Sequence, residues 1–541
     1  MNHKNIFRAV GSAAVVVATL ASGLGAARAD LTFPGTYYGT GATKYTIMNL
    51  GASAAAVSAA YYPEAGNTPD VTDSLNIANA SGRLDVNVAS VGGLAANWKG
   101  SVVLSSDQQV AAVAVTNYTG RDTRADAATS APGTEMSAYE AALSGSTTMY
   151  FPSLFRLPLA STGSANQTSR LTVMNTTGST AAYTISYVAR DGAAVGNVTG
   201  NLNAYGSKTF QTGIDADMPA NFITNMAGKN AGFSAKLSSD KALAALAETN
   251  AVNAQANWSA DAMASSPAQA ATKLYSPSAF RLCQSATPCL TPGTVVTNMI
   301  QFSAFQLQNT TGSTANVTAD FVNRATGGIS YTLAFTIPAN AGYGINLWNG
   351  GSVTGAALTA LYNAIGSSFA GSVVFNSDQA LVGVGNLSYN LPSTVYNGSY
   401  SLVGSSDATG LVYAPLFNRQ CSGYPTCPNA AAFQQFSAFQ LMNVGASACN
   451  GVSIQILNGN GSINTTLSLK KDGNPINLTA GGAVGLNSFN GGDFNVSQFD
   501  ANVGGAFAGS IKVNAPGCQL KAVVETRNGT TGFDQYNAFN Q

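Results

Sequence analysis

Along most of the chain, large apolar residues alternate with small or polar ones at a period of two. The heptapeptide QFSAFQL shows it best, at 301–307 and again at 435–441. It belongs to a wider set of four strands that end in asparagine: KYTIMN, RLTVMN, AFQLQN and AFQLMN, closing at Asn49, Asn175, Asn309 and Asn443. Two and four positions before each asparagine stand Ile47 and Tyr45, Val173 and Leu171, Leu307 and Phe305, Leu441 and Phe439. The intervening positions carry mostly Thr, Gln, Lys, Arg or Ala. Residues two apart share one face of a strand. Each copy therefore directs its large side chains into a core and its small or polar ones outward. Phe302 and Phe436 are expected to cap the same strand end in two copies.

A short turn with glycine follows each asparagine, as in TTGST at 176–180 and 310–314. Alternation then resumes, with Tyr183, Ile185 and Tyr187, with Val317, Ala319 and Phe321, and with Val452, Ile454 and Ile456 on one face. This reads as a half-buried antiparallel hairpin. Each copy closes on a second predicted hairpin, at 100–117, 232–250, 371–386 and 509–528. The opening glycines of these closing segments, Gly100, Gly232, Gly371 and Gly509, lie 132, 139 and 138 residues apart. Each copy opens on an aromatic-proline stretch: LTFPGTYY, YFPSLFRL, YSPSAFRL and YAPLFNRQ.

Repeats of 100 to 130 residues suit one sandwich core each. The predicted fold is all-β: four tandem immunoglobulin-like β-sandwich repeats with a few short helices in connections. The expected boundaries are 30–119, 148–250, 274–390 and 412–541. Segments 120–147 and 251–273 read as linkers or excursions, and 391–411 as a connection. Segments 216–228 and 355–366 are expected as short helices before the closing strands. The YxPxxF openings and the S-D-Q turns inside G-S-V-V…V segments resemble those of secreted bacterial surface proteins built of tandem immunoglobulin-like modules. That resemblance implies adhesion, coat or filament roles and carries over no functional residue.

Residues 1–29 read as a secretory signal. Lys4 and Arg8 precede an apolar run, and Ala27-Arg28-Ala29 places small residues at the cleavage positions. No later stretch is apolar for long enough to span a bilayer, so no integral span is expected after cleavage. Removing Lys4, Arg8 and Arg28 leaves 21 basic and 24 acidic residues. Charged residues make up only 9% of the chain, which offers no electrostatic footprint for nucleic acid and weak repulsion against self-association.

The one histidine, His3, lies in the signal. A Ser-His-Asp triad, a Cys-His pair and histidine metal ligands are therefore excluded from the mature chain. All six cysteines fall in the second half. An even count in a secreted chain reads as disulfides. Matching spacing pairs Cys283 with Cys289 and Cys421 with Cys427, which leaves Cys449 with Cys518. Acidic pairs that could serve a carboxylate hydrolase are Glu135 with Glu140, Asp215 with Asp217 and Asp493 with Asp500. None recurs in the other copies. Asp215 and Asp217 also offer oxygens to a calcium ion, without a complete loop. Asp107, Asp240 and Asp378 recur, as turn residues that bond the local backbone. Trp98, Trp258 and Trp348 are too scattered for a binding platform. Asn-x-Ser/Thr sequons, including those at Asn117, Asn175, Asn309, Asn316, Asn386, Asn464 and Asn528, are numerous in a chain this rich in the three residues.

The expected function is a non-catalytic, secreted structural or interaction protein of the cell exterior: coat, matrix, adhesin or filament subunit. It needs no cofactor. Its partners are other copies of itself or other cell-surface components. The alternative is an extracellular glycan- or polymer-binding protein, and a carboxylate-based hydrolase comes third.

Overall fold

A computed structural model describes residues 29–37, 41–119, 134–142, 145–157, 167–229, 232–252, 257–283, 299–391, 394–422, 433–528 and 532–541. The expected signal lies outside them, apart from its last residue. The fold is all-β, with several sheets and short helices between strands.

The first unit sets the pattern. Its strands are β1 (Ala29–Tyr37), β2 (Gly41–Asn49), β3 (Ala55–Pro63), β4 (Val71–Ile77), β5 (Arg83–Asn87), β6 (Lys99–Ser106), β7 (Val110–Thr119) and β8 (Thr134–Glu140). They form two antiparallel sheets, ordered β1-β6-β3-β4 and β5-β2-β7-β8. The same two orders recur along the chain. In the second and third units the counterparts of β6 and β7 are fused into one long strand, Gly232–Val252 or Ser368–Leu391, which passes from one sheet into the other. In the fourth unit they are separate again, as Ala506–Asn514 and Leu520–Asn528.

The predicted alternation is present, but the predicted hairpins are not. β2 and β3 lie in opposite sheets, as do β6 and β7. The glycine turn after each asparagine is thus an arch across the core. A period of two fixes which face of a strand is buried, whereas pairing partners depend on contacts distant in sequence. In the immunoglobulin sandwich the first two strands share a sheet. Here β1 and β2 are in different sheets. The counterparts in later units bridge only briefly, near their connection. The two-layer architecture is shared with that fold, and this strand order is not.

Each unit has its own core. Phe305 and Phe439 are fully buried in equivalent places, opposite Gly385 and Val524. Phe302 packs on Trp348 and Phe436 on Phe489, with ring centroids 5.6 and 5.8 Å apart. The heptapeptide is therefore a core strand in both copies. Its outward glutamines have a further role: Gln306 accepts from Arg190 and Gln440 from Arg324, each at 2.9 Å. In both cases the arginine belongs to the preceding unit.

The asparagines that end these strands are structural brackets. Asn49, Asn175, Asn309 and Asn443 are all buried. Each side-chain nitrogen donates to the carbonyl four residues on and to a carbonyl in the loop before the fifth strand. Each side-chain oxygen accepts from the amide two residues on. The helices fall where expected, at Phe222–Met226 and Gly355–Ile365.

The units form a closed ring. Unit one meets unit two where Tyr62 stacks on Tyr205 at 4.6 Å. Unit four returns to unit one, where the Arg83 amide donates to Gly459 and Gln541 to Leu50. Met48 and Val113 of the first unit join the core of the fourth. Segments expected as linkers or a connection each contain a strand: β8, then Asn257–Met263, then Thr394–Ser401. With Gly532–Asn537 these are β8 and its counterparts in the other three units. They touch one another in cyclic order along the ring's centre, and we call them the axial strands.

Cys449 and Cys518 are bonded, with Cα atoms 5.4 Å apart. In the other units an aspartate makes the matching link: Asp107 accepts from the Ala56 amide, Asp240 from Ala182 and Asp378 from Asn316. Cys518 stands in the aspartate's place and closes the same two loops covalently. Cys283 and Cys421 are also disulfide-bonded. Their expected partners, Cys289 and Cys427, lie outside the described residues.

A bridge over a sequence separation of 69 is worth roughly 4 kcal/mol. The double variant Cys449→Ser/Cys518→Ser should therefore lower the urea midpoint of unit four. Cys449→Ser/Cys518→Asp should recover about 1 kcal/mol of that loss by restoring the hydrogen bond of the other units. Equal midpoints for the two double variants would refute the equivalence.

Candidate functional site: the axis between the four units

Each axial strand is the inner edge of its sheet. One row of its N–H groups bonds the neighbouring strand and the other faces the axis without a ladder. Such an edge needs partners. Register identifies equivalent positions on the four strands: Ala138, Asp261, Ser399 and Gln535 lie opposite Val115, Glu248, Asn386 and Glu525.

The amides of those four residues converge on one carboxylate. Asp534 Oδ2 accepts from Ala138 at 2.7 Å and from Asp261 at 3.1 Å. Its Oδ1 accepts from Ser399 and from Gln535, each at 2.8 Å. Asp534 is fully buried. The positions equivalent to Asp534 are Ser137, Ala260 and Gly398, all small.

Two residues further along the axial strands, a second polar layer closes the axis. Glu140 accepts from the amide and side chain of Asn537 at 3.3 and 3.1 Å. Asn537 also donates to the Ser401 carbonyl, and Ser401 Oγ to the Met263 carbonyl, each at 3.0 Å. One residue from every unit takes part.

A tyrosine fixes three of the axial strands to their own sandwiches. Tyr139 donates to the Gly35 carbonyl, Tyr400 to Ser278 and Tyr536 to Leu416, all in the aromatic-proline stretches. The second unit has Ala262 at this position. A cavity of about 10 Å³ lies beside it, lined by Phe151, Pro152 and Ser153 of that unit's own stretch. Buried arginines hold the other end of three of these stretches. Arg156, Arg281 and Arg419 donate to loop carbonyls and lie over Phe222, Tyr362 and Phe433.

The acidic pairs singled out in the sequence are separately engaged. Asp215 pairs with Arg156 at 2.7 Å, and Asp217 accepts from the Gln211 amide. Asp493 accepts from the Gly485 amide and lies 3.6 Å from Arg324, while Asp500 pairs with Arg419 at 2.6 Å. Glu140 belongs to the axis, and the Glu135 side chain lies outside the described residues. No group of three or more His, Cys, Asp or Glu among the described residues could hold a metal ion. Trp98 donates to Asp70, Trp348 packs on Phe302, and the Trp258 side chain is outside the described residues. The sequon residues Asn175 and Asn309 have their amides buried in the brackets. Sequence reasoning missed Asp261 and Asp534. The one signal for them was an acid at positions where other copies carry Ala, Ser, Gly or Gln.

Electrostatics concentrate at the same place. Burial pushes the carboxyls of Glu140 and Glu525 up. It does the same to Asp534, with Asp261 as a second cause, while the amide donors pull the other way. Asp534 therefore titrates above the ordinary carboxyl range.

Comparison with known proteins adds little. No protein-family model matches the sequence, and no curated protein matches it. Among solved structures, Thermotoga maritima 1070 aligns over 22% of this chain and 94% of its own, at 14% identity and a TM-score of 0.17. A serine-rich repeat adhesion glycoprotein, Srr1 from Streptococcus agalactiae, aligns over 50% of this chain and 97% of its own, at 10% identity and 0.09. A Bacteroides uniformis β-glucuronidase aligns over 44% of this chain and 26% of its own, at 10% identity and 0.09.

Raised carboxyl values fix the sign of a pH effect. Unfolded, these groups titrate near 4. Between that value and the raised one, the folded chain holds more protons than the unfolded chain, so stability falls as pH rises. With its one histidine at position 3, little else in the chain titrates between pH 5 and 8. The melting temperature should be higher at pH 5 than at pH 8. Asp261→Asn should flatten the slope and raise stability at pH 8, by about 1.4 kcal/mol for each unit of upward shift removed. Calorimetry showing stability that grows with pH over this range would contradict the assignment.

Proposed function

We propose that this chain is a non-catalytic structural or interaction protein of the cell exterior, and that the ring is a rigid building block. The observation that carries the reading is the commitment of its carboxylates. The described acidic side chains that the sequence offers for acid–base chemistry are bound to arginines, backbone amides or an asparagine. General acid–base catalysis needs a group free to exchange protons with a substrate. Low charge, a signal-like leader and disulfide-bonded cysteines support an exterior location. Tandem modules with an adhesion, coat or filament role agree with the resemblance noted in the sequence.

Glycan or polymer binding is a second reading. It is favoured by aromatic side chains that stay partly exposed, Trp348 beside Phe302 and Phe436 beside Phe489.

Purified mature chain should form ordered assemblies, or coat cells, without added ligand. Negative-stain microscopy and sedimentation check this, and a chain that stays monomeric in every near-native buffer would count against it. Saturable, sugar-specific signals on a glycan array would move the assignment to the second reading.

A further inference from the structure

We propose that the ring axis is an anion-binding site whose ligand is the chain's own Asp534 carboxylate. A small free monocarboxylate, such as formate, takes its place when that side chain is removed. The donors carry the first part of the argument. Four amides from four units converge on one carboxylate, and three of them lie 396, 273 and 135 residues from it. Converging backbone N–H groups form an anion-binding concavity. Withdrawn from water, charge-assisted hydrogen bonds of this kind are about twice as strong as neutral ones.

Space carries the second part. Ser137, Ala260 and Gly398 leave the axis open at the three equivalent positions. A Cβ at Gly398 would fall 2.7 Å from the Phe533 ring and 2.9 Å from the Asp534 Cα. Gly398 thus lets the acid-bearing strand approach.

Charge carries the third. One set of donors suits one anion, and four acids at four equivalent positions would place like charges side by side. A ring of identical units would need a ligand from outside. A fused chain supplies one from a single unit. Asp261 is the neighbouring like charge that limits how much more negative charge the site accepts.

The test uses the full mature chain with Asp534→Gly. Its melting temperature should fall below that of the wild type. Formate should raise it saturably, acetate less, and sodium chloride of equal ionic strength should not. The wild type should not respond to formate, and adding Asp261→Asn to Asp534→Gly should enlarge the formate effect. Hydrogen exchange read by mass spectrometry should quicken together, by about tenfold or more, in peptides spanning 136–139, 260–263, 397–400 and 533–536. Loss of protection confined to 533–536 would overturn the proposal, as would formate acting no differently from chloride. Should Asp534→Gly fail to fold, Asp534→Asn decides. It keeps one acceptor oxygen, so protection should fall part-way in all four peptides, and exchange equal to wild type would overturn the proposal.

Discussion

The inward edges of four sheets must be satisfied without pairing to each other. An open edge presents a row of N–H and C=O groups and invites another strand to add. Four such edges turned outward would make a chain prone to uncontrolled association. In this ring they turn inward, and side chains replace the missing ladders. Asp534 caps one level and Glu140 with Asn537 the next. Ring closure and edge protection are therefore the same event. The axial strands of the first three units find this acceptor only when the fourth unit's strand lies among them.

Around that axis the units repeat a small set of devices and vary them where geometry allows. The buried asparagine holds its arch in all four. The tyrosine that pins the axial strand is present in three, and its absence in the second unit coincides with a small cavity. The cross-loop aspartate is present in three, and a disulfide does its work in the fourth. Such trades are open to a fused chain because each copy can change alone. The axial acid depends on that freedom: it occurs once, where four would repel.

Much of this was legible beforehand. The inward residues of the asparagine-ending strands were assigned to a core, and Tyr45, Leu171, Phe305 and Phe439 are fully buried or nearly so. The short helices and the Cys449–Cys518 bond were also foreseen. The strand pairing was not, because an arch and a hairpin share one residue pattern. Three of the four axial strands lie in segments that read as linkers or a connection, for a related reason. Their sequences, such as NWSADAM and TVYNGSY, pair on one side only, so they lack a long apolar alternation.

By itself, the sequence determined the buried face of its core strands and the all-β class. These follow from side-chain spacing along a strand, which is a local property. Tertiary structure alone decided that the repeats close on themselves and that Gln306 and Gln440 bind the preceding unit's arginines. It alone decided that Asp534 sits among amides from four distant segments. Those facts depend on where separate segments meet in space, and no spacing rule along one segment encodes that.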